Sequence, residues 1–276
     1  MRKKIWLIIL LGMILIIFSA LDKRLRVVEY EIETSKVTSE VRLALVTDLH
    51  SCYYGENQEE LFEKIAKFHP DAVLMGGDIF DDMMDNQNAR IFAKQSAEQY
   101  KTYYVSGNHE WWSGEMGEVF AYLKACGVSV LRGGCDRLET RGNCICICGV
   151  DDPEVNRYDP TYLSWQKQLE QVEDTEKHGD FTLLLAHRPE LAEEYFAHGV
   201  DAALSGHAHG GQFRIPLLLN GFYAPNQGFF PELAGGMYDF DGRTLIVSRG
   251  LSDENSQLPR IFNRPELVFV TLTPVG

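Results

Sequence analysis

Short apolar runs recur along the chain, and each ends in polar residues. Arg42–Val46 ends in Thr47-Asp48-Leu49-His50, and Ala72–Met75 in Gly76-Gly77-Asp78. Tyr103–Val105 ends in Ser106-Gly107-Asn108-His109-Glu110, and Cys144–Val150 in Asp151-Asp152-Pro153. Phe181–Ala186 ends in His187-Arg188-Pro189, and Val200–Leu204 runs into Gly206-His207-Ala208-His209. Continuous apolar runs of this length predict strands buried on both faces. Helix-like stretches lie between them. Asn57–Phe68 opens with an Asn cap and puts Leu61, Phe62, Ile65 and Ala66 on one face. Asn88–Gln99, Glu115–Cys126 with Gly127 as a stop, Pro160–Val172 and Pro189–Ala197 read the same way. The alternation predicts an α/β fold with helices packed on sheet faces. In such folds ligands gather at the carboxyl ends of strands. Here those ends carry Asp48, His50, Asp78, Asn108, His187, His207 and His209.

After Gly211 the rhythm changes. Gln212–Pro216 and Gly236–Phe240 read as strands, Asp241-Gly242 as a hairpin turn into Thr244–Ser248, and Glu266–Thr273 as a last strand. This tail reads as antiparallel, so the expectation is a core of two sheet layers. Near the start, Val27–Thr34 alternates apolar and acidic residues, as a half-exposed strand does.

Arg2-Lys3-Lys4 precede an apolar run from Ile5 to Leu21, seventeen residues long. That is the low end for crossing a bilayer. Cleavage of a signal peptide after Ala20 would place Phe18 where a small residue is preferred, which favours an uncleaved anchor. The expectation is a membrane anchor over residues 1–26, with a transmembrane helix at about 5–21, and one domain over 27–276. Lys23, Arg24 and Arg26 follow the run, so the charge asymmetry is small. The favoured orientation puts the N-terminus inside and the domain outside the cytoplasm. The chain is read as a monomer.

With 276 residues, 45% of them hydrophobic, the chain can bury one substantial core. Its formal net charge of −14 argues against broad binding to nucleic-acid backbones, which needs a basic face. It favours a site where metal ions supply the positive charge. Of six cysteines, Cys144, Cys146 and Cys148 share one face of a strand, where neighbours at i and i+2 are poorly placed for a disulfide. Cys52, Cys126 and Cys135 show no framework spacing.

The densest chemistry is Ser205-Gly206-His207-Ala208-His209-Gly210-Gly211. In an extended segment residues i and i+2 point the same way, so both imidazoles could face one point. A metal explains that arrangement; a loop that happens to hold two histidines is the alternative. The strand-end residues form a mixed oxygen and nitrogen donor set. No cysteine is among them, which argues against a structural zinc. Three or four such ligands suit one zinc, and seven suit two divalent ions sharing a carboxylate. Paired ions can activate a water and clamp phosphoryl oxygens.

Asp-x-His at Asp48/His50, Gly-Gly-Asp at Asp78, Gly-Asn-His-Glu at 107–110, the strand-end His187, and Gly-His-x-His at 206–209 occur in this order. Together they resemble the calcineurin-like metallophosphoesterase superfamily. Ser248-Arg249-Gly250-Leu251 and Ile261-Phe262-Asn263-Arg264-Pro265-Glu266 resemble its bacterial membrane-anchored branch, which includes UDP-diacylglucosamine pyrophosphatase-like enzymes and secreted cell-wall-associated phosphodiesterases. The resemblance implies a four-layer α-β-β-α sandwich of two packed mixed sheets flanked by helices. It implies two divalent ions, Mn²⁺ or Zn²⁺ or Fe. Asp48, His50 and His209 would hold the first, Asn108, His187 and His207 the second, and Asp78 would bridge them together with the attacking water. His109 would donate a proton to the leaving oxygen or stabilise charge. Glu110, where many relatives carry Asp, would orient His109 or pack locally. Ser252 stands where the branch often has Gly.

Other residues carry two readings. Asp81 reads as a structural hydrogen-bonding residue. Asp151 and Asp152 read as a turn before Pro153 or as support for the ligands. Trp111 and Trp112 read as packing or as the rim of the substrate mouth. Arg188 and Arg249 read as phosphate contacts or surface ion pairs. His69, His178 and His198 read as solvated. Leu217–Phe230, rich in aromatics and leucines, reads as core packing beneath a loop or as an apolar lip. The implied activity is hydrolysis of phosphodiester or diphosphate bonds, with a phosphoester or lipid-diphosphate substrate from the cell envelope. A membrane-tethered metal-binding scaffold without turnover, and a nuclease, are the alternatives.

Overall fold

The computed structural model describes residues 2–175, 180–252 and 259–275. Its strands are β1 (Arg26–Thr34), β2 (Val41–Val46), β3 (Ala72–Gly76), β4 (Lys101–Val105), β5 (Ser129–Val130), β6 (Cys135–Thr140), β7 (Asn143–Gly149), β8 (Phe181–Leu185), β9 (Ala202–Ser205), β10 (Tyr223–Ala224), β11 (Gly228–Phe229), β12 (Gly236–Phe240), β13 (Arg243–Val247) and β14 (Glu266–Pro274). Its helices are α1 (Arg2–Ala20), α2 (Glu59–Phe68), α3 (Gln87–Gln99), α4 (Asn108–Trp112), α5 (Met116–Ala125), α6 (Val155–Tyr158), α7 (Trp165–Asp174) and α8 (Ala192–Ala197).

Two six-stranded sheets run in the orders β1-β14-β2-β3-β4-β5 and β12-β13-β9-β8-β7-β6, with β10 and β11 as a separate hairpin. Both sheets are mixed. Strands β2 to β5 are parallel, as are β7, β8, β9 and β13. Alternate side chains serve different cores, as the pleat requires. Leu43, Leu45, Leu74 and Tyr103 of one sheet meet Ile145, Ile147, Leu183 and Leu204 of the other. Their neighbours Ala44, Val73, Met75, Leu184 and Ala203 pack outward against Leu61 and Ile65 of α2, Phe92 of α3 and Leu169 and Val172 of α7. The layers therefore run helix, sheet, sheet, helix.

Several expectations are corrected. Gln212–Pro216 is not a strand: Phe213 and Ile215 make only isolated bridges, to Ile261 and Leu219, because Pro216 and the left-handed Leu217 turn the chain back at once. The tail is mixed rather than antiparallel, since β14 runs parallel to β1 and β13 parallel to β9. The turn at Asp241-Gly242 does form a hairpin, with φ of 54° and 81°. Asn57 is not the cap of α2; its own φ is 55° and it lies in a short turn before the helix. α7 begins at Trp165 and not at Pro160, because the Ser164 hydroxyl takes the Lys167 amide and caps it there.

Cys135 and Cys148 form a disulfide, which spacing did not reveal. They are register partners across β6 and β7, a relationship set by pairing and not by separation along the chain. Cys146 and Cys148 are not bonded to each other.

No helix among the described residues is long and apolar enough to cross a membrane, so the expected span over residues 5–21 is not met. At about 1.5 Å per residue the apolar run extends roughly 25 Å, short of a hydrocarbon core of about 30 Å. Its large apolar side chains, from Ile5 to Phe18, are exposed on every side of the helix.

Candidate metal centre

The parallel strands of both sheets end at one edge of the sandwich, and the sequence-identified polar residues sit there. Asp48 and His50 follow β2, Asp78 follows β3, Asn108 and His109 open α4 beyond β4, His187 follows β8, and His207 and His209 follow β9. Backbone hydrogen bonds lock the strand ends together. Asp48 N donates to Gly77 O at 3.0 Å, His50 N to Asp78 O at 2.9 Å, and Gly206 N to His187 O at 3.0 Å.

Five of these residues hold left-handed backbone: Asp48, His50, Asp78, His207 and His209, with φ between 46° and 64°. Such conformations cost on the order of 1–3 kcal/mol each and cluster at functional sites. They also overturn one expectation. His207 and His209 are not in an extended segment and do not face one point. His209 joins Asp48, His50 and Asp78 in one group that could hold a metal ion, and His207 joins Asp78 and His187 in another. Asp78 belongs to both. Asn108, at the start of α4, is buried as well.

The distances are short and the groups buried. Asp78 Oδ2 lies 3.0 Å from His187 Nε2 and 3.7 Å from His50 Nε2. His209 Nε2 lies 3.7 Å from Asp48 Oδ1. Two donor atoms, His50 Nε2 and Asn108 Oδ1, are buried without a hydrogen-bond partner. A divalent ion would satisfy both, and the hard oxygen and imidazole donors suit one.

Electrostatics point the same way. Burial raises the Asp48 carboxyl despite the nearby His187. Burial also pushes His207 down to about 3, helped by His187, and holds His209 well below its usual range, helped by His50. Neutral imidazoles are the form that binds metal. His187 is opposite: burial would lower it, but Asp78 outweighs that and pushes it up to about 10.

A ring of supports fixes the donors. His50 Nδ1 donates to Asp81 Oδ2 at 2.7 Å, and His187 Nδ1 to Gly76 O at 2.8 Å, turning each Nε2 toward the cluster. Asp48 accepts from His207 N at 3.0 Å, and Asp78 Oδ1 from His109 N at 2.9 Å. Glu110 does not hold the His109 ring. Its carboxylate accepts the amides of Asp78, Ile79, Phe80 and Gly107 at 2.8–3.2 Å. Burial, with Asp78 nearby, raises its carboxyl to about 7. Gly107 lies so close that a Cβ there would sit 2.2 Å from Asp78 Oδ1.

His109 stands at the mouth. Its Nδ1 lies 2.6 Å from Asp82 Oδ1, and its ring packs edge-on against His50 and beside the exposed Trp112. Burial lowers its basicity, but Asp78, Asp82 and Asp81 together raise it. Trp111 is packing, with its indole N–H on Ser106.

The two arginines considered for phosphate are committed elsewhere. Arg188 pairs with Asp152 at 2.6 Å, and Arg249 binds Glu266 and Asn220. Asp151 and Asp152 are therefore buried partners and not a surface turn. His198 pairs with Glu173, and His178 lies outside the described residues. Ser252 fits its loop, its amide donating to Asp48 O. Asp82 at His109 escaped sequence reasoning, as did two asparagines. Asn226, between β10 and β11, places Oδ1 2.8 Å from His207 Nε2, which leaves the lone pair on Nδ1. Asn263 Nδ2 holds the His209 carbonyl at 2.7 Å. Neither carries a spacing signal, though Asn263 stands in the tail motif.

Two facing mixed sheets carry a buried Asp/His cluster at their shared strand ends, and with the family match that follows they place the chain among metal-dependent phosphoric ester hydrolases. Residues 41–211 match the calcineurin-like phosphoesterase family, and the chain belongs to it. It is similar to an uncharacterized metallophosphoesterase of Aquifex aeolicus, 30% identical over 91% of this chain and 93% of that one. A protein of Bos taurus named a transmembrane protein with metallophosphoesterase domain is 29% identical over 67% of this chain and 44% of its own length. Among solved structures, sulfate thiohydrolase SoxB of Thermus thermophilus shares the fold, with a TM-score of 0.52 and 13% identity over 86% of this chain and 57% of that one.

Proposed function

We propose that the chain hydrolyses phosphodiester or diphosphate bonds at a two-metal centre. The observation that carries this reading is Asp78, common to two groups of donors at the strand ends. Asp48, His50 and His209 would hold one ion and Asn108, His187 and His207 the other, with Asp78 shared between the two sets. Bound there, Mn²⁺, Zn²⁺ or Fe would activate a water and neutralise phosphoryl charge. The chain's own residues do the rest. Asp81, the Gly76 carbonyl and Asn226 fix the imidazole orientations. Glu110 gathers the 78–80 backbone so that Asp78 cannot swing away. His109, raised by its carboxylate neighbours, offers a proton from the mouth to the leaving oxygen.

Residues 27–276 act as the catalytic unit. The substrate is lipid-linked or belongs to the cell envelope, as the resemblance to the membrane-anchored branch implies. The exposed Leu217, Leu218, Phe229 and Phe230 support this, since they form an apolar lip instead of core. The apolar run of residues 5–21 favours a membrane setting with the catalytic unit outside the cytoplasm, although no described helix is long and apolar enough to cross a bilayer. The name of the bovine relative favours a membrane setting. The net charge of −14 weighs against a nuclease.

The test is turnover of bis(p-nitrophenyl) phosphate by the purified full chain, before and after chelation and with Mn²⁺ or Zn²⁺ restored. Metal binding without turnover would leave the scaffold reading. Long-chain and short-chain lipid diphosphates, compared for wild type and Phe229→Ser/Phe230→Ser, test the lip.

A further inference from the structure

Three cysteine sulfurs meet at the β6 edge of its sheet. Cys135 opens this edge strand and lies opposite Cys148 of β7. Those two form the disulfide. Cys146 stands on the same face of β7 as Cys148 and keeps its thiol. Its Sγ lies 3.6 Å from Cys148 Sγ. All three sulfurs lie within 4.8 Å of one another, and none belongs to the donor groups around Asp78. A structural cross-link needs two cysteines, so the third has no part in it. Cys146 is buried in the helix-facing core, where a cysteine can serve as a small apolar residue. Its sulfur, however, is aimed at the bridge. Zinc–thiolate bonds of about 2.3 Å put the corners of a tetrahedral site about 3.8 Å apart. The 3.6 Å between Cys146 and Cys148 is close to that edge. The sulfurs are also within reach from outside. Cys135 is only half-buried, and the two residues before it line a depression of about 520 Å³ with Arg132, Gln171 and Asp174.

We propose that Cys135, Cys146 and Cys148 form a separate metal site that alternates with the disulfide. With the bridge closed, two of the three sulfurs are bonded to each other and cannot serve as thiolates. With the bridge open, the register pair and the neighbour at i−2 supply three sulfur ligands from adjacent strands. The ion is thiophilic, Zn²⁺ or Cu⁺, because thiolates select soft ions where carboxylate and imidazole select harder ones. With Zn²⁺, a water completes the tetrahedron. Opening the bridge takes two electrons and two protons and leaves thiols on Cys135 and Cys148. A dithiol supplies both and ends as its own disulfide. The arriving ion then displaces the thiol protons. The Asp78 centre and this site thus differ in donor chemistry, and only this one depends on the redox state of the chain.

The experiment titrates the full chain with Co²⁺ under anaerobic conditions, with the bridge closed and after reduction by a water-soluble phosphine. The phosphine ends as its oxide, with the oxygen taken from water. Thiolate-to-cobalt charge-transfer absorption reports sulfur ligands, which the oxygen and nitrogen donors around Asp78 do not produce. The expected result is this absorption in the reduced chain alone, with one more ion per chain than in the closed form, and its loss when Zn²⁺ is added. Cys146→Ser and Cys135→Ser should each lose it. Cys144→Ser, on the same face of β7 but outside the group, should keep it. Melting temperatures confirm that each variant is folded, and the half-buried Cys135 gives a second variant should Cys146→Ser fail to fold. Reduced wild type without the absorption would overturn the proposal and leave Cys146 as a packing residue. Absorption of full strength in Cys146→Ser, or equal loss in Cys144→Ser, would overturn the assignment to these three sulfurs.

Discussion

Asp81 Oδ2 lies 2.7 Å from His50 Nδ1, and both side chains are almost wholly buried. The carboxylate fixes the tautomer and points His50 Nε2 into the cluster. Such partners are worth about 10–100-fold in metal affinity. Asp81→Ala should therefore weaken metal binding by about that factor, read by competition with a chromogenic chelator. An unchanged affinity would show that Asp81 serves only its own loop, where it also takes the Met83 and Met84 amides.

Glu110 acts on the backbone. Four amides converge on its carboxylate, and Glu110→Ala would leave them buried without an acceptor. Each unmet donor costs roughly 1–3 kcal/mol before relaxation. The expected loss is on the order of 3 kcal/mol or more in urea unfolding. A loss under about 1 kcal/mol would mean that water replaces the carboxylate there.

Glycine at 107 is dictated by proximity. In Gly107→Ala the new Cβ would meet Asp78 Oδ1 at 2.2 Å and the Asp78 amide nitrogen at 2.5 Å. Asp78 must shift, so metal content and melting temperature should fall together. Gly117 in α5 is the control, with open space around it. Gly117→Ala should be neutral or stabilising by up to about 1 kcal/mol.

His109 is not a member of either metal-holding group that contains Asp78. His109→Ala should keep its metal and lose turnover mainly with poor leaving groups. A loss of about 10²–10⁴-fold is expected for an alkyl phosphodiester, and far less for nitrophenolate, which departs without a proton. Equal losses would favour charge stabilisation over proton donation.

The donor set was legible because strand ends are. An apolar run that stops at Asp, Asn or His marks both an element boundary and the edge where ligands collect. What stayed hidden depends on backbone turns and on contacts far apart in sequence. His207 and His209 look like a pair two residues apart, yet left-handed φ at both sends them to different groups. Three of the four amides on Glu110, those of Asp78, Ile79 and Phe80, lie about thirty residues away, and backbone amides leave no mark in a sequence. Asn226 reaches His207 through a hairpin of two-residue strands, too short for any periodicity. The Cys135–Cys148 bridge follows from the register of β6 on β7, which the one-dimensional pattern does not specify. The span of residues 5–21 rests on hydropathy alone, and no helix among the described residues is long and apolar enough to cross a membrane.

The central claim is that Asp78 bridges two catalytic ions. The most direct measurement determines metal per chain and bis(p-nitrophenyl) phosphate turnover on the same preparations of wild type and Asp78→Ala. The account predicts two ions per wild-type chain, loss of turnover on chelation and its return with Mn²⁺ or Zn²⁺. It predicts that Asp78→Ala loses both ions together, with turnover down by several orders of magnitude. Asp78→Ala that keeps two ions and turns over normally would contradict it.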